Sequence, residues 1–276
     1  MRFSFLFILS FLSIHFVKGQ VENNKEAIVK NKVKSSVERH CFYNSSESCT
    51  TFFKSFDKRG NVTEWNMGRL GGFSKYQYND KNQKIASFWI HKSDTSKIDT
   101  LLFTYDSLNE IIFDGRDRFK NLYDAKDRLI KHISINSNNK SDTPYTTFKS
   151  YEHDFYNNLT NEIHYENNEV VNSICYEYDS KLRLIQKKEY DTKYIVFRNK
   201  EYAEYKKPIE YFLTKITYDA KGRIKEKYDY HSDPCMSLDD HFTFKYFYKP
   251  NGLLRKATVF KKDKLKFTIT YEYTFY

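Results

Sequence analysis

The sequence is poor in the residues that interrupt regular structure. It contains 8 glycines and 4 prolines in 276 residues, whereas aromatic residues make up 18%. This composition excludes collagen-like and low-complexity disordered chains, because aromatic side chains bury enough area to offset the entropy lost on folding. The 24 tyrosines and 24 phenylalanines favour β-strands.

Long apolar runs are missing except at the start of the chain. Arg2 precedes the apolar run Phe3–Phe16, and Val17-Lys18-Gly19 places small residues just before Gln20. This pattern is typical of a secretory signal peptide over residues 1–19, with cleavage between Gly19 and Gln20. An uncleaved anchor is the alternative, although the run is short for a span of about 20 residues. We expect a secreted or cell-envelope protein, periplasmic or at the cell surface, with no transmembrane span in the mature chain.

Acidic residues are fewer than basic ones. The net charge is +10, and loss of the signal segment removes Arg2 and Lys18 but no acid, which lowers the charge to +8. A basic exported protein can meet anionic polymers or membrane surfaces. Lysines that alternate with glutamates on the solvent side of strands explain the same charge as a solubility feature. We expect no nucleic-acid partner.

Cysteine is also scarce, and no CxxC motif supports a redox or zinc site. An even number of cysteines in an oxidising compartment indicates disulfides. Cys41 and Cys49 form the easiest pair, since they close a short loop, and Cys175 and Cys235 then remain for a second bridge. Buried free thiols are the alternative.

The most informative stretch is Ile216–Tyr230, which reads as one β-hairpin. Asp219 suits the first position of a type I turn, and Gly222 suits the fourth, where φ is positive. The turn then predicts a G1 bulge with Tyr218 opposite Ile224. This register predicts one face with Ile216, Tyr218, Ile224, Tyr228 and Tyr230, and the other with Arg223, Lys225, Lys227 and Asp229.

Six stretches share this pattern of an aromatic residue, a four-residue turn, any residue and an aliphatic residue. They are Phe56–Val62, Tyr105–Ile111, Tyr123–Leu129, Tyr178–Leu184, Tyr218–Ile224 and Tyr248–Leu254. Two looser copies, Tyr78–Ile85 and Tyr156–Ile163, are one residue longer.

The position of Gly222 is filled by Gly60 and Gly252 in two other copies. Asn109 and Asp127 fill it in two more, and these residue types tolerate a left-handed backbone. Leu182 breaks the rule.

The copies are irregularly spaced, which excludes a strict solenoid. We predict an all-β fold: a long antiparallel meander or spiralling sheet of hairpins over residues 41–276, with order beginning near Cys41. Residues 20–40 form a linker or a short helix, since Val29, Val33 and Val37 follow a helical spacing.

These copies resemble the YD repeat, the Tyr-Asp hairpin repeat of RHS proteins and teneurins. The resemblance rests on Tyr105-Asp106, Tyr123-Asp124, Tyr178-Asp179 and Tyr218-Asp219, with Gly222-Arg223-Ile224 completing the best copy, and it covers roughly residues 53–276. In that family the hairpins join into a spiralling sheet, which in large members encloses a toxin or forms a cell-surface body. The resemblance implies an exported, sheet-rich bacterial protein, but about eight hairpins are too few to enclose a passenger.

One cluster contains residues of types that ligate metals. It comprises His231, Asp233, Asp239 and His241, close to Cys235. The spacing matches no known motif and Pro234 marks an ordinary loop, so we expect no metal and no cofactor.

Catalytic signatures are missing as well. No phosphate loop, nucleophile elbow or paired-carboxylate motif is present. His153-Asp154 and His164 are candidates for acid–base chemistry, but they lie where strand residues normally face water. The tyrosine and phenylalanine rows either stack sugars or pack one hairpin on the next.

We therefore expect an exported, non-catalytic repeat protein that binds an envelope polysaccharide or another surface protein. A secreted hydrolase with a site assembled from loops is the alternative. An outer-membrane β-barrel is a further alternative with less support, because charged residues interrupt the apolar strand faces.

Overall fold

The computed structural model describes residues 25–42, 49–66, 72–91, 94–114, 117–135, 147–191, 194–198, 201–205, 209–233 and 238–276. Within these ranges 21 strands are present, and residues 25–30 form a short helix. Nineteen of these strands form one nearly closed antiparallel sheet. The predicted all-β meander is therefore confirmed. The predicted signal peptide lies outside the described residues.

The strands follow one another along the chain with short connections. They are β1 (Val33–Phe42), β2 (Cys49–Phe56), β3 (Val62–Asn66), β4 (Gly72–Tyr78), β5 (Lys84–His91), β6 (Ile98–Leu102), β7 (Thr104–Tyr105), β8 (Ile111–Phe113), β9 (Arg118–Tyr123), β10 (Leu129–Ile135), β11 (Thr147–His153), β12 (Leu159–Glu166), β13 (Glu169–Tyr178), β14 (Leu184–Asp191), β15 (Tyr194–Arg198), β16 (Glu201–Tyr205), β17 (Ile209–Tyr218), β18 (Ile224–Asp233), β19 (Leu238–Tyr248), β20 (Leu254–Lys261) and β21 (Lys264–Phe275).

Sheet order follows chain order almost everywhere. Most strands pair with their neighbours in sequence. Strand β14 pairs with β17, and β21 returns to pair with β1. Strands β15 and β16 form a separate hairpin. Only Phe103 separates β6 from β7, and its backbone N–H donates to the carbonyl of Ile85, 3.0 Å away. The two ends of the meander are thus joined through β1 and β21.

The hairpin signature sets the same local geometry in each copy. At Asp219 the backbone N–H donates to the carbonyl of Arg223 at 2.8 Å, and the N–H of Gly222 donates back to the Asp219 carbonyl at 3.0 Å. The Asp219 carboxylate accepts the N–H groups of Lys221 and Arg223, each at 2.9 Å. The fourth turn position has positive φ in all eight described copies, at Gly60, Asn82, Asn109, Asp127, Asn157, Leu182, Gly222 and Gly252.

The prediction of two longer copies is wrong. Tyr78 pairs with Lys84, so this copy has the regular length. The other begins at His153, which pairs with Leu159, because Asp154 rather than Asn157 accepts the backbone N–H groups of the turn. Tyr156 therefore lies at the tip of the turn and not at its start.

The predicted faces of the hairpin beyond Ile224 are also wrong. Tyr218 pairs with Ile224 as predicted, but the next pair is Thr217 with Glu226, so Lys225 is left as a bulge. One extra residue inverts every following side chain. Lys227 and Asp229 consequently share a face with Ile216, while Tyr228 and Tyr230 lie on the opposite face, and the other seven hairpins show the same register shift.

Tyrosine hydroxyls connect several neighbouring hairpins. The hydroxyl of Tyr218 donates to the carbonyl of Leu184 at 2.7 Å, and that of Tyr248 donates to the carbonyl of Ile224 at 2.8 Å. Tyr78, Tyr105, Tyr178 and Tyr273 make the equivalent bond. These bonds favour the packing interpretation of the tyrosine rows, since each ring lies against the neighbouring hairpin.

The N-terminal part of the described chain is built into the sheet. Strand β1 begins at Val33, so Val33 and Val37 lie in a strand and the helix is confined to residues 25–30. Ile28 packs with Val33 and Leu253 in a small buried cluster. Among the described residues no helix is both long and apolar enough to cross a membrane.

One of the two predicted disulfides is present. Cys41 and Cys49 are bonded and join the ends of β1 and β2. Cys175 carries a free, half-buried thiol on β13, and Cys235 lies outside the described residues. Cys175 therefore does not form the predicted bridge.

Candidate binding site on the inner face

The structure does not bring the predicted metal ligands together. His231 pairs with Asp240, whereas His241 pairs with Tyr230. Because neighbouring residues on a strand point to opposite faces, His241 lies on the other side of the sheet from His231. The side chains of Asp233 and Asp239 lie outside the described residues. No group of three or more His, Cys, Asp or Glu side chains suited to a metal ion is found in the described part of the chain.

One face of the sheet carries most of the buried side chains, including several charged ones, and we call it the inner face. Its course can be followed because paired residues share a face. The pairs are Glu38 with Tyr271, Ile269 with Ala257, Val259 with Phe244, Phe244 with Lys227, Asp229 with Thr214, Thr214 with Lys187, Glu189 with Ile174, and Ile174 with Glu162.

Five carboxylates on the inner face are each paired with a lysine, and we call this set the ionic belt. The N–O distances are 3.6 Å for Lys54–Glu38, 2.8 Å for Lys149–Glu162, 2.5 Å for Lys187–Glu189, 2.7 Å for Lys227–Asp229 and 2.6 Å for Lys261–Asp240. Asp229, Glu189 and Asp240 are buried. Buried charges need such partners, because an unpaired charge in the protein interior is costly.

Glu162 is the most highly connected member of the ionic belt. Lys149 Nζ donates to its Oε1 at 2.8 Å, and His164 Nε2 lies 2.6 Å from the same oxygen. The Tyr176 hydroxyl donates to Oε2 at 3.2 Å. Burial opposes ionisation, but the hydrogen bonds from His164 and Lys149 outweigh it and lower the pKa of Glu162 to about 2. His164 is thus a partner of a fixed carboxylate, not a free acid–base group.

The neighbouring members of the belt are held in the same way. The Tyr211 hydroxyl donates to Glu189 Oε2 at 2.9 Å and accepts from Asn172 Nδ2 at 2.8 Å. Thr214 Oγ1 donates to Asp229 Oδ1 at 2.7 Å. Burial, followed by the charge of Glu189, raises the pKa of Tyr211 above its usual range, so the hydroxyl stays neutral and keeps donating.

A cavity of about 650 Å³ opens on the inner face. Residues 25–31 lie at the end of the cavity that is nearest to the hairpin turns. Lys25 Nζ donates to Asn61 Oδ1 at 2.7 Å, and Asn31 Nδ2 donates to the Asn251 carbonyl at 3.1 Å. The glycine at position 60 gives this segment room, because a Cβ there would lie 2.7 Å from Val29 Cγ2.

The polar side of the cavity centres on Glu38. His40 Nε2 lies 2.5 Å from Glu38 Oε1, and Lys54 Nζ lies 3.6 Å from Oε2. Burial opposes ionisation of Glu38, but the hydrogen bond with His40 and the charge of Lys54 hold its pKa below the usual value. Lys54 Nζ also lies 5.7 Å from the centre of the Trp65 ring.

Aromatic side chains form another part of the cavity wall. The His40 ring lies 4.8 Å from the ring of Phe52 and is stacked 6.1 Å from that of Phe267. Two ring nitrogens at this cavity, His40 Nδ1 and Trp65 Nε1, are buried and have no hydrogen-bond partner among the described residues. Buried polar atoms are almost always satisfied in folded proteins, so such atoms at a cavity indicate a ligand or ordered water.

This cavity was not predicted from the sequence, although the sequence contains pairs of acidic and basic residues at a spacing of two. Glu38 and His40 are two residues apart, as are Glu162 and His164, Lys187 and Glu189, and Lys227 and Asp229. In a strand this spacing places both members of a pair on one face.

No protein-family model matches the chain, and no curated protein matches it. Solved structures with similar strand arrangements include the Tc holotoxin pore of Photorhabdus luminescens, at 14% identity and a TM-score of 0.38, covering 81% of this chain and 10% of the toxin chain. A porin-like protein from Bacteroides uniformis matches at 7% identity and a TM-score of 0.39, covering 88% of this chain and 98% of that one.

A porin-like protein from Bacteroides vulgatus matches at 10% identity and a TM-score of 0.29, covering 64% of this chain and 94% of that one. This chain spans about a tenth of the length of the toxin chain. All three TM-scores lie below 0.5, so we infer neither a family nor a function from them.

Proposed function

We propose that the protein is an exported, non-catalytic interaction protein whose inner-face cavity binds a saccharide of the cell envelope. The observation that carries this proposal is the pair of unpartnered ring nitrogens, His40 Nδ1 and Trp65 Nε1, in a cavity of about 650 Å³. The Trp65 nitrogen is a donor only. His40 Nε2 donates to the Glu38 carboxylate, so His40 Nδ1 accepts in the neutral ring and donates only in the imidazolium. Sugar hydroxyls both donate and accept, and so match both groups.

The walls of the cavity suit the apolar C–H faces of a sugar ring. Phe52, Trp65 and Tyr271 line it, and flat aromatic rings pack well against the C–H faces of pyranose rings. Ligand sites typically enclose about 300–1,000 Å³, so this volume fits a short saccharide. Lys54 and Glu38 supply charged hydrogen-bonding groups at the same place.

Glu38 does not have the protonation state that the general acid of a glycoside hydrolase requires. A general acid needs a raised pKa, so that it holds a proton near neutral pH. Glu38 has a lowered pKa and is engaged by His40 and Lys54. It therefore acts as a fixed hydrogen-bond acceptor in this proposal.

Export is supported by two features. Residues 1–19 have the pattern of a signal peptide. The bonded pair Cys41 and Cys49 is compatible with an oxidising compartment.

The test is calorimetric titration of the exported protein with saccharides released from the envelope of its source organism. Trp65→Phe keeps an aromatic ring but removes the N–H donor, and we expect it to weaken binding about fivefold to tenfold. Trp89→Phe is the matched control, because Trp89 does not line the cavity, and it should bind like the parent protein.

Equal affinity of the Trp65→Phe variant and the parent would contradict the proposed site. Failure of every envelope saccharide to bind would move the proposal to a protein partner. Mass spectrometry of the recovered saccharide separates the alternatives, since shortened products would identify a hydrolase.

A further inference from the structure

The turn between β11 and β12, at one end of the sheet, exposes two large aromatic side chains. Phe155 is 86% exposed and Tyr156 is 66% exposed, at the tip of the turn between β11 and β12. Their rings are perpendicular, with centres 5.5 Å apart. Contiguous exposed apolar surface indicates an interaction site more strongly than single exposed residues do.

The turn itself does not require these aromatic residues. It is closed by Asp154, whose carboxylate accepts the backbone N–H of Asn158 at 2.8 Å, and by Asn157 with φ of 71°. The other seven turns use mostly small or charged residues at the same two positions. These are Lys58-Arg59, Asp80-Lys81, Ser107-Leu108, Ala125-Lys126, Ser180-Lys181, Ala220-Lys221 and Pro250-Asn251.

All eight turns lie at one end of the sheet, because successive strands are antiparallel and the signature recurs at every second connection. Neighbouring turns contact one another. Arg59 Nη1 donates to the carbonyl of Asn79 at 3.0 Å, and Arg128 Nη1 donates to the carbonyl of Asp154 at 3.3 Å. The tips therefore form a continuous surface, which we call the turn end.

The outermost positions of the turn end are basic, whereas the aspartates that begin the turns pair with the arginines that follow them in three copies. The three central residues of the eight turns include the six cations Lys58, Arg59, Lys81, Lys126, Lys181 and Lys221, all exposed, and the two acids Asp80 and Asp127. The aspartates that begin the turns point back at their own backbone amides. Lys126 Nζ lies 6.0 Å from the centre of the Phe155 ring, so cation and aromatic ring occupy the same patch.

We propose that the turn end docks on an anionic lipid bilayer. Phe155 and Tyr156 would enter the interfacial region, where aromatic rings are favoured, while the tip lysines face the lipid phosphates. Each part of the surface has a role in this arrangement. An acidic polymer would use the cations but leave the exposed Phe155 ring without a function, and an apolar protein groove would leave the cations without one.

The test measures binding of the exported protein to vesicles containing 30% phosphatidylglycerol in phosphatidylcholine. We expect the double variant F155S/Y156S to lose at least tenfold in partition coefficient, and salt to weaken binding by the parent protein. Phe247→Ser is the matched control, because Phe247 is an aromatic residue on β19 that is 49% exposed and lies outside the turn tips. It should bind like the parent.

A second variant keeps an aromatic residue at the tip of the turn and reports how deeply the tip enters the bilayer. In Phe155→Trp, brominated lipids should quench the new tryptophan, while the two native tryptophans in the parent serve as the baseline. The proposal is overturned if the parent does not bind these vesicles. It is equally overturned if F155S/Y156S binds as tightly as Phe247→Ser, or if brominated lipid leaves Phe155→Trp unquenched. Circular dichroism of each variant checks that the fold is retained.

Discussion

Two parts of the sheet use the same hairpin in different ways. In the packed part, formed by β1 and β18–β21, the inner face contains Phe244, Val259 and Ile269, which are 2%, 0% and 2% exposed. In the open part, formed by β9–β12, no residue of these four strands is buried. The turns are alike in both parts, so turn chemistry sets the hairpin and the inner-face residues decide whether it packs.

Charge follows the same division. In the packed part the carboxylates of Asp229 and Asp240 are buried beside aromatic rings, whereas Glu162 in the open part is reached by a half-exposed Lys149. The turn end also differs, because residues 25–31 bond to the turns at Asn61 and Asn251, whereas Phe155 in the open part is exposed. We infer that the packed part supplies most of the stability and holds the cavity, while the open part exposes the aromatic turn at Phe155.

Truncating one phenylalanine in each part gives the largest expected contrast. Phe244→Ala removes a buried ring from the core and should lower the free energy of unfolding by about 3–5 kcal/mol. Phe148→Ala on β11 removes a half-buried ring stacked 4.4 Å from Tyr165 and should lower it by about 1 kcal/mol. Urea unfolding measures both, and equal losses would contradict the division into packed and open parts.

The Glu162 cluster gives an intermediate effect with a defined pH dependence. Glu162→Gln should lower the free energy of unfolding by about 1–2 kcal/mol at pH 7, because it weakens the charge-assisted bonds from Lys149 and His164. The folded pKa of about 2 lies below the ordinary value of 4.5, so the carboxylate stabilises the fold fully above pH 4.5. The difference between parent and variant should therefore shrink as pH falls from 4.5 towards 2. A constant difference across this window would contradict the assignment.

Substitutions in the turns should give the smallest changes in the free energy of unfolding, and the changes should have opposite signs at two positions. Leu182 has φ of 59° and its side chain is 47% exposed, so Leu182→Gly should relieve strain and stabilise the protein by about 0.5–1 kcal/mol. The matched change Gly222→Val, at φ of 78°, should destabilise it by more than about 1 kcal/mol, since a β-branched residue resists this conformation. Thermal unfolding measures both, and a destabilising Leu182→Gly would show that the leucine side chain packs usefully.

The sequence predicts what depends on local chemistry. The turn at Asp219, the pairing of Tyr218 with Ile224 and the bond between Cys41 and Cys49 all depend on residues close in the chain, and the structure contains each of them. The bulge at Lys225 was not predicted, because an extra residue in a strand has no distinct composition, and this single omission inverted the face of Asp229.

Features that depend on distant residues were harder to predict. The cavity needs residues 25–30, the β1–β21 pairing and Trp65 together, and no local pattern connects them. The ionic belt was within reach, since Lys187 and Glu189 share a strand face at a spacing of two. His231 and His241 were grouped by proximity in sequence, although strand alternation places them on opposite faces.

The most direct test of the central claim, that the inner-face cavity binds a saccharide, uses Trp65 as the reporter. The chain has two tryptophans, so the Trp89→Phe variant leaves Trp65 as the only one. Titration of this variant with envelope saccharides should give a saturable change in tryptophan emission, with the same midpoint as the calorimetric titration. Unchanged emission at saccharide concentrations that saturate the calorimetric signal would contradict the account, because the saccharide would then bind away from Trp65.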